Sequence, residues 1–168
     1  MKIRKASNKD AKNIANVLYR SFYETFRTEE NESSLKAYLG TLNEDAILRL
    51  MAEENTSFYV SERNNKLQGF VQLVDESPFD SSKGRFIKVE RLYIDTEAIG
   101  SGLGTSLMKE AMELGRREGF ETIWLLVLRS NFNGVQFYEK FGFKTFDTSP
   151  GKFKEDREID LWMKKSLS

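Results

Sequence analysis

The chain contains no cysteine and no histidine among its 168 residues. Without cysteine it can form no disulfide and offers no thiol nucleophile or thiolate metal ligand. Without histidine, a Ser-His-Asp triad, an imidazole base and the most common zinc ligand are excluded. Proton transfer near neutral pH must therefore fall to Glu, Asp, Tyr or Lys side chains, or to bound water. Such a limited set suits a reaction whose substrate is already activated, such as a thioester.

Long apolar runs and an excess of one charge are also missing. No run approaches the roughly 20 residues of a membrane-spanning helix, and residues 1–4 do not begin a signal peptide. The 26 basic residues balance the 26 acidic ones, so no overall field favours nucleic acid or an anionic membrane. We therefore expect a cytoplasmic protein without nucleic-acid or membrane partners, folded as a single domain over residues 1–168.

Hydrophobic periodicity predicts alternating helices and strands. The apolar stretch 122–128 lacks alternation, which predicts a strand covered on both faces and parallel to its predecessor. Residues 22–32 show no clear period and are predicted to form a loop. A second helix is expected to be capped by Ser33 or Ser34 and a third to open at Asn43, and Asn64-Asn65 are predicted to form a tight turn between two strands. The predicted helices cover residues 9–23, 34–39, 43–52, the stretch after Gly104, and 133–141. The predicted strands cover residues 2–6, 56–63, 66–74, 86–95, 122–128, 143–146 and 158–164.

A glycine-studded loop follows the predicted strand 86–95 and leads into a helix. Its glycines are Gly100, Gly102 and Gly104, so the spacing is not the G-x-G-x-x-G of dinucleotide sites. It is not a P-loop either, because no lysine follows Gly104. A strand, a glycine loop and a helix N-terminus nevertheless expose a row of backbone N–H groups suited to phosphate. The alternative is a glycine-rich turn that binds nothing.

Two stretches carry a family resemblance. Residues 99–104 resemble the acyl-CoA pyrophosphate loop (Gln/Arg)-x-x-Gly-x-(Gly/Ala) of the GCN5-related N-acetyltransferases (GNATs), with Ile99 at the usual Gln or Arg position. Residues 131–143 resemble the family's N-x-x-A-x-x-F-Y-x-x-x-G-F, with Gly134 at the usual Ala position. Short segments at 22–26, 36–39, 90–94 and 137–140 are similar to the PaiA-type enzymes, which acetylate spermidine and spermine.

The resemblance implies a mixed α/β (α+β) fold. We expect a central twisted sheet of about seven strands, mostly antiparallel but with splayed parallel fourth and fifth strands, flanked by about four helices. It also implies an acetyl-CoA-dependent N-acetyltransferase that needs no metal. The acetyl group would pass to a primary amine by direct attack, and a homodimer is a candidate assembly. The best guess for the acceptor is a polyamine; the alternative is a protein N-terminus, a lysine, an amino acid or a drug amine.

The resemblance assigns residues to acetyl-CoA. The backbone of three strand residues would pair with the pantetheine arm, although ordinary strand packing explains their side chains. Asn131 would anchor the cosubstrate or a water, or would simply cap a helix. Lys140 would reach a phosphate, although a solvated lysine is the commoner meaning. The cofactor-binding set is Leu92, Tyr93, Ile94, Gly100, Ser101, Gly102, Leu103, Gly104, Thr105, Asn131 and Lys140.

Two residues are candidates for catalysis. Tyr138 matches the family's general acid, which protonates the departing CoA thiolate, while its alternative role is a core aromatic. Glu90 is the candidate base for the acceptor amine, directly or through water, and the alternative is a surface ion pair with Lys88 or Arg91.

Evidence for the acceptor is sparser. An acidic, aromatic-lined mouth would suit a polycation, but a solvated acidic loop is an alternative. A catalytically silent CoA-binding sensor is the competing class of function. The residues proposed for the mouth are Tyr23, Glu24, Phe26, Glu29, Glu30, Glu32, Asp75 and Glu76.

Overall fold

The computed structural model describes residues 2–28, 31–79, 84–151 and 158–168. In this part of the chain there are five α-helices and seven strands, together with 3-10 turns at Asn8–Asp10 and Thr96–Ala98. The helices are α1 (Ala11–Phe26), α2 (Glu32–Gly40), α3 (Glu44–Met51), α4 (Leu103–Arg117) and α5 (Phe132–Lys140). The strands are β1 (Lys2–Lys5), β2 (Thr56–Arg63), β3 (Lys66–Asp75), β4 (Phe86–Ile94), β5 (Thr122–Leu128), β6 (Lys144–Pro150) and β7 (Ile159–Ser166).

The strands form one sheet in the order β1-β2-β3-β4-β5-β7-β6. Strands β4 and β5 are parallel, whereas β1 with β2, β5 with β7 and β6 with β7 are antiparallel. The β4–β5 register pairs four residues and ends at Val89 with Leu125, although both strands continue. This arrangement confirms the predicted mixed sheet with parallel fourth and fifth strands.

Contacts between Cα atoms divide the chain into two compact units. The first unit contains Met1–Leu73 and Arg91–Ala111, and the second contains Val74–Glu90 and Met112–Ser168. In the first unit, one stripe of α1 is buried, because Ile14, Leu18 and Phe22 recur at helical spacing. The stripe belongs to a core that also contains Phe58 and Phe70 of β2 and β3.

In the second unit, Trp124 of β5 is 2% exposed and stacks on Trp162 of β7, with ring centroids 5.4 Å apart. Its indole N–H donates to the Glu76 carbonyl at 2.8 Å, so the buried ring keeps a polar partner. Gly115 allows the end of α4 to approach closely, since a Cβ there would lie 2.7 Å from Leu167.

Several predicted elements need correction. The predicted loop 22–32 is wrong over 22–26, where α1 continues to Phe26 because Phe22 packs against Phe26 and Tyr38. The cap of α2 is Asn31, which accepts from the N–H groups of Ser33 and Ser34, so neither serine is the cap. Strand β6 extends to Pro150 because it pairs along its length with β7.

The described residues contain no helix long and apolar enough to span a membrane, and no cluster of three or more acidic side chains arranged to hold a metal ion. The Asn64-Asn65 turn between β2 and β3 is confirmed, with φ values of 52° and 59°.

We predict that Ser61→Ala stabilises the protein. The Ser61 side chain is fully buried in β2, and its hydroxyl finds no hydrogen-bond partner among the residues that the structure describes. Removing an unsatisfied buried hydroxyl should raise the free energy of unfolding by about 1 kcal/mol, measured by urea denaturation. Ser57→Ala, on the partly exposed part of the same strand, is the matched control and should change little. A loss of stability in Ser61→Ala would contradict the prediction.

We predict that Asp10→Asn destabilises the protein in a pH-dependent way. Two hydrogen bonds from Arg4, at 2.8 and 2.9 Å, lower the pKa of the nearly buried Asp10 carboxyl from 3.8 to about 2. Because the folded-state pKa is the lower one, this stabilisation is present above pH 4 and is lost as the pH falls towards 2. Asp10→Asn should therefore cost about 1–2 kcal/mol at pH 7. Unfolding curves at pH 7 and pH 2 test this, and an equal cost at both would contradict it.

Candidate functional site

The glycine loop connects the 3-10 turn to α4, and two of its glycines are required by backbone conformation. Gly100 and Gly102 have φ values of 82° and 81°, a region that side chains with a Cβ rarely adopt. A Cβ at either position would meet no atom within 4 Å. The space above these two residues is therefore open, and the glycines serve the path of the backbone rather than its packing.

The N-terminus of α4 presents backbone N–H groups. The Ser106 N–H donates to the Gly102 carbonyl at 3.1 Å, which begins the helical hydrogen bonding. The amides of the preceding residues, Leu103, Gly104 and Thr105, belong to the first turn, where a helix leaves donors without helical partners. This geometry suits a phosphate group.

Hydrogen bonds tie the glycine loop to the 3-10 turn before it. Asp95 caps that turn and is 2% exposed, and its carboxylate accepts from the Glu97 N–H at 3.2 Å. The Ala98 carbonyl accepts from both the N–H and the hydroxyl of Ser101, at 3.2 and 2.6 Å. Arg20 of α1 makes an ion pair with Asp95. Ser101 is therefore anchored through the turn.

The three predicted pantetheine-pairing residues lie at the end of β4. Tyr93 packs against the core rings of Phe22 and Phe70, as the strand-packing alternative supposed for its side chain. The Ile94 carbonyl accepts from the Ser21 hydroxyl of α1. Leu92 is partly buried. Gly69 of β3 permits close approach, since a Cβ there would lie 3.1 Å from the Tyr93 carbonyl oxygen.

Tyr138 lies in α5 of the second unit. Its ring contacts those of Phe137 and Phe143 edge to face, with centroids 5.3 and 5.8 Å apart. Burial raises the pKa of the Tyr138 phenol to about 12. The hydroxyl has no hydrogen-bond partner among the described residues. The side chain thus belongs to an aromatic cluster, which agrees with the alternative role of a core aromatic. Its phenol keeps its proton at neutral pH.

Asn131 is the N-cap of α5, which agrees with the structural alternative for this residue. Its side-chain oxygen accepts from the Gly134 N–H at 3.0 Å. A Cβ on Gly134 would lie 2.6 Å from the Asn131 amide nitrogen, so an alanine here would require the Asn131 side chain to shift. Lys140 is exposed in the last turn of α5.

Glu90 of β4 makes an ion pair with Lys88, 2.7 Å away. The ammonium group of Lys88 also lies 3.4 Å from the Glu76 carboxylate and 5.0 Å from the centre of the Trp124 ring. Arg91, the other partner considered for Glu90, donates instead to the buried Gln72 at 2.6 Å. The ion pair considered as the alternative role of Glu90 is therefore present, and it is formed with Lys88.

The acids proposed to attract a polycation carry basic partners of their own. In the first unit, Glu24 pairs with Arg27 at 3.0 Å and Glu32 with Lys36 at 2.9 Å. In the second unit, Asp75 pairs with Arg85 and Glu76 with Lys88, both at 3.4 Å. Glu29 and Glu30 lie outside the described residues. Within the described residues, the acidic charge expected from the sequence is thus largely offset by neighbouring bases.

Sequence reasoning missed Arg20, whose partner Asp95 lies 75 residues away in the chain. Lys88 was named only as a candidate partner of Glu90, a pair consistent with their i, i+2 spacing on one face of a strand. The further contact of Lys88 with Glu76 was missed.

Comparison with known proteins agrees with both motifs. The family model described as acetyltransferase (GNAT) family matches residues 13–143. An uncharacterized N-acetyltransferase of Lactobacillus delbrueckii subsp. lactis is 27% identical over 99% of this chain and 98% of its own length. The spermidine N(1)-acetyltransferase of Thermoplasma acidophilum is 26% identical, over 95% of this chain and 98% of its own length.

A solved structure shares the fold. The PaiA N-acetyltransferase of Thermoplasma acidophilum, in complex with coenzyme A, superposes with a TM-score of 0.81 and 24% identity over 98% of each chain. The family match covers most of this chain and includes both sequence motifs. The chain therefore belongs to the acetyltransferase (GNAT) family of N-acetyltransferases.

Proposed function

We propose that the chain transfers an acetyl group from acetyl-CoA to a primary amine, with a polyamine such as spermidine or spermine as the first candidate acceptor. The observation that carries this proposal is the glycine loop, with two positive-φ glycines, open space above them and a helix N-terminus beside them. We further propose that residues 1–168 are a single N-acetyltransferase domain, and that a homodimer is its candidate assembly.

The residues of the loop fit a pyrophosphate. Amides of Gly100, Ser101, Gly102, Leu103, Gly104 and Thr105 would donate to it, and the dipole of α4 would contribute about 0.3–1 kcal/mol in favour of the anion. Leu92, Tyr93 and Ile94 would offer backbone groups to the pantetheine arm, with N–H groups in this stretch polarising the thioester carbonyl. Asn131 and Lys140 would bind the cosubstrate more peripherally. Acetyl-CoA itself supplies an activated thioester, so the protein need not form a covalent intermediate.

Glu90 would accept the proton of the acceptor ammonium, directly or through water, because only the free amine attacks. Tyr138 would donate its phenolic proton to the departing thiolate and regain one from solvent. Burial raises its pKa to about 12, so the phenol holds its proton at neutral pH, and the assignment as acid rests on the match of residues 131–143 to the family motif.

The acceptor is the less constrained part of the proposal. A spermidine N(1)-acetyltransferase among the relatives supports a polyamine. The ion pairs of Glu24, Glu32, Asp75 and Glu76 weaken the attraction for a polycation. They favour, as a second candidate, a less highly charged amine: a protein N-terminus, a lysine, an amino acid or a drug.

An acceptor panel separates these candidates. Purified protein with acetyl-CoA is offered spermidine, spermine, free amino acids and peptides with free N-termini or lysines, and thiol release is followed for each. Release that is much faster with spermidine or spermine supports the polyamine. Release with another acceptor alone retains the acetyltransferase and rejects the polyamine. Binding of acetyl-CoA without release for any amine would favour the sensor alternative.

A further inference from the structure

We propose that Arg20 is a positioning residue for the glycine loop: through its ion pair with Asp95, it holds the loop in the shape that binds the pyrophosphate of acetyl-CoA. The proposal rests on the function proposed above. All the groups involved belong to the first unit, and they connect helix α1 with the segment between β4 and α4.

Asp95 is the residue through which α1 is connected to the glycine loop. Its carboxylate is 2% exposed and binds both the Arg20 guanidinium and the Glu97 N–H. Its backbone N–H donates to the Gln68 carbonyl of β3 at 2.7 Å, and its carbonyl accepts from the Ala98 N–H at 2.8 Å. A carboxylate buried to this degree is costly without a compensating charge. Arg20 supplies the charge from a side chain that is 48% exposed.

The glycine loop follows Asp95 after the 3-10 turn Thr96–Ala98. Ala98, held by the Asp95 carbonyl, accepts two hydrogen bonds from Ser101, which lies between the two positive-φ glycines. Movement of Asp95 would therefore be transmitted along the turn to Gly100 and Gly102. The Ser21 hydroxyl, next to Arg20 on α1, binds the Ile94 carbonyl, so α1 contacts this segment at two successive residues.

Loss of Arg20 should affect one part of the cosubstrate selectively. Without its partner, the buried Asp95 carboxylate has no compensating charge and is driven towards solvent, and the loop amides then lose their alignment. Acetyl transfer from a donor that carries pyrophosphate should therefore become slower. S-acetylpantetheine lacks the pyrophosphate and the nucleotide, so transfer from it should be unaffected by the loop.

The test measures kcat/KM for acetyl-CoA and for S-acetylpantetheine in Arg20→Met, with the amine that the acceptor panel identifies. We expect the value for acetyl-CoA to fall about tenfold or more, since misplacement by about 1 Å can cost about 100-fold. The value for S-acetylpantetheine should stay unchanged, and the Kd of CoA, measured by calorimetry, should rise by the same factor. Arg20→Lys should restore part of the preference because it keeps the charge but not the forked geometry.

Lys66→Met is the matched control. Lys66 pairs with Glu97 on the same turn at 2.6 Å, but both side chains are more than half exposed, so removing this pair should leave the donor preference unchanged. Asp95→Asn removes the carboxylate charge that pairs with Arg20, and we expect the same loss of preference for acetyl-CoA over S-acetylpantetheine. These variants keep the test decisive if Arg20→Met folds poorly.

An equal fall for both donors would assign Arg20 a general structural role and overturn the inference, as would no change for either. If the wild-type protein shows no preference for acetyl-CoA over S-acetylpantetheine, the proposed role of the glycine loop fails instead. The two failures are therefore distinguishable.

Discussion

Replacing Tyr138 with phenylalanine is expected to lower kcat by about 100-fold or more, the lower end of what a positioned general acid contributes. The thiolate of CoA is a fairly good leaving group, so we expect an effect near that lower limit. The Kd of acetyl-CoA should hardly change, because the phenylalanine ring can keep the contacts with Phe137 and Phe143. Thiol-release kinetics and calorimetry measure the two quantities separately.

The pKa of Tyr138 gives this prediction a pH dependence. Because that pKa is raised to about 12, the phenol remains protonated throughout the neutral and mildly alkaline range. Its ionisation should therefore produce no fall in wild-type activity below about pH 11. Tyr19→Phe removes a hydroxyl from an exposed tyrosine on α1 and serves as the matched control, with unchanged kinetics. Unchanged turnover in Tyr138→Phe would remove Tyr138 from the mechanism and would reopen the choice of acid.

Replacing Gly102 with valine is expected to raise the Kd of acetyl-CoA by about 100-fold, the effect that misplaced binding groups can reach. Its φ of 81° costs a residue with a Cβ about 1–2 kcal/mol, and a β-branched side chain is stiffer still. A clash does not cause the effect, since a Cβ would meet open space. The loop can relieve the strain only by changing its path, which misaligns the amides. Equilibrium dialysis with acetyl-CoA measures the change.

Gly119→Val is the matched control for this substitution. Gly119 follows the other end of α4 and has a φ of 78°, so the variant carries similar backbone strain away from the loop. It should lose stability to a similar degree and keep its affinity for acetyl-CoA. If both variants lose affinity equally, the effect is one of general stability, and the specific role of the loop is contradicted.

Local patterns predicted the fold well where the chain carries its own signals. Strand β5 is found at its predicted bounds, and a short apolar run without alternation is typical of an inner strand that is covered on both faces. Asn43 caps α3 as predicted, and Asn64 and Asn65 form the predicted turn. The end of α1 was missed because Phe22 packs against Tyr38 of α2 and Phe26 packs against Phe22, and the contact with α2 is not visible in a local pattern.

In the candidate site, too, features with a local sequence signal were predicted and features that depend on the fold were not. The glycines of the loop could be recognised because positive φ demands glycine locally. Two ion pairs could not be recognised from the sequence: Arg20 with Asp95, and Lys88 with Glu76. The first joins residues that are 75 positions apart and the second joins a strand with a loop, so both depend on the folded backbone. The pairs Glu24–Arg27 and Glu32–Lys36 were missed for a different reason: they depend on the i, i+3 and i, i+4 spacing of a helix, whereas residues 22–32 were predicted to form a loop.

The most direct test of the central claim is a calorimetric titration of the wild-type protein with acetyl-CoA. We predict saturable binding of one molecule per chain, with the heat of binding lost in Gly102→Val and kept in Gly119→Val. Absence of binding to the wild-type protein would mean that the glycine loop is only a turn between β4 and α4, and the proposed function would be wrong.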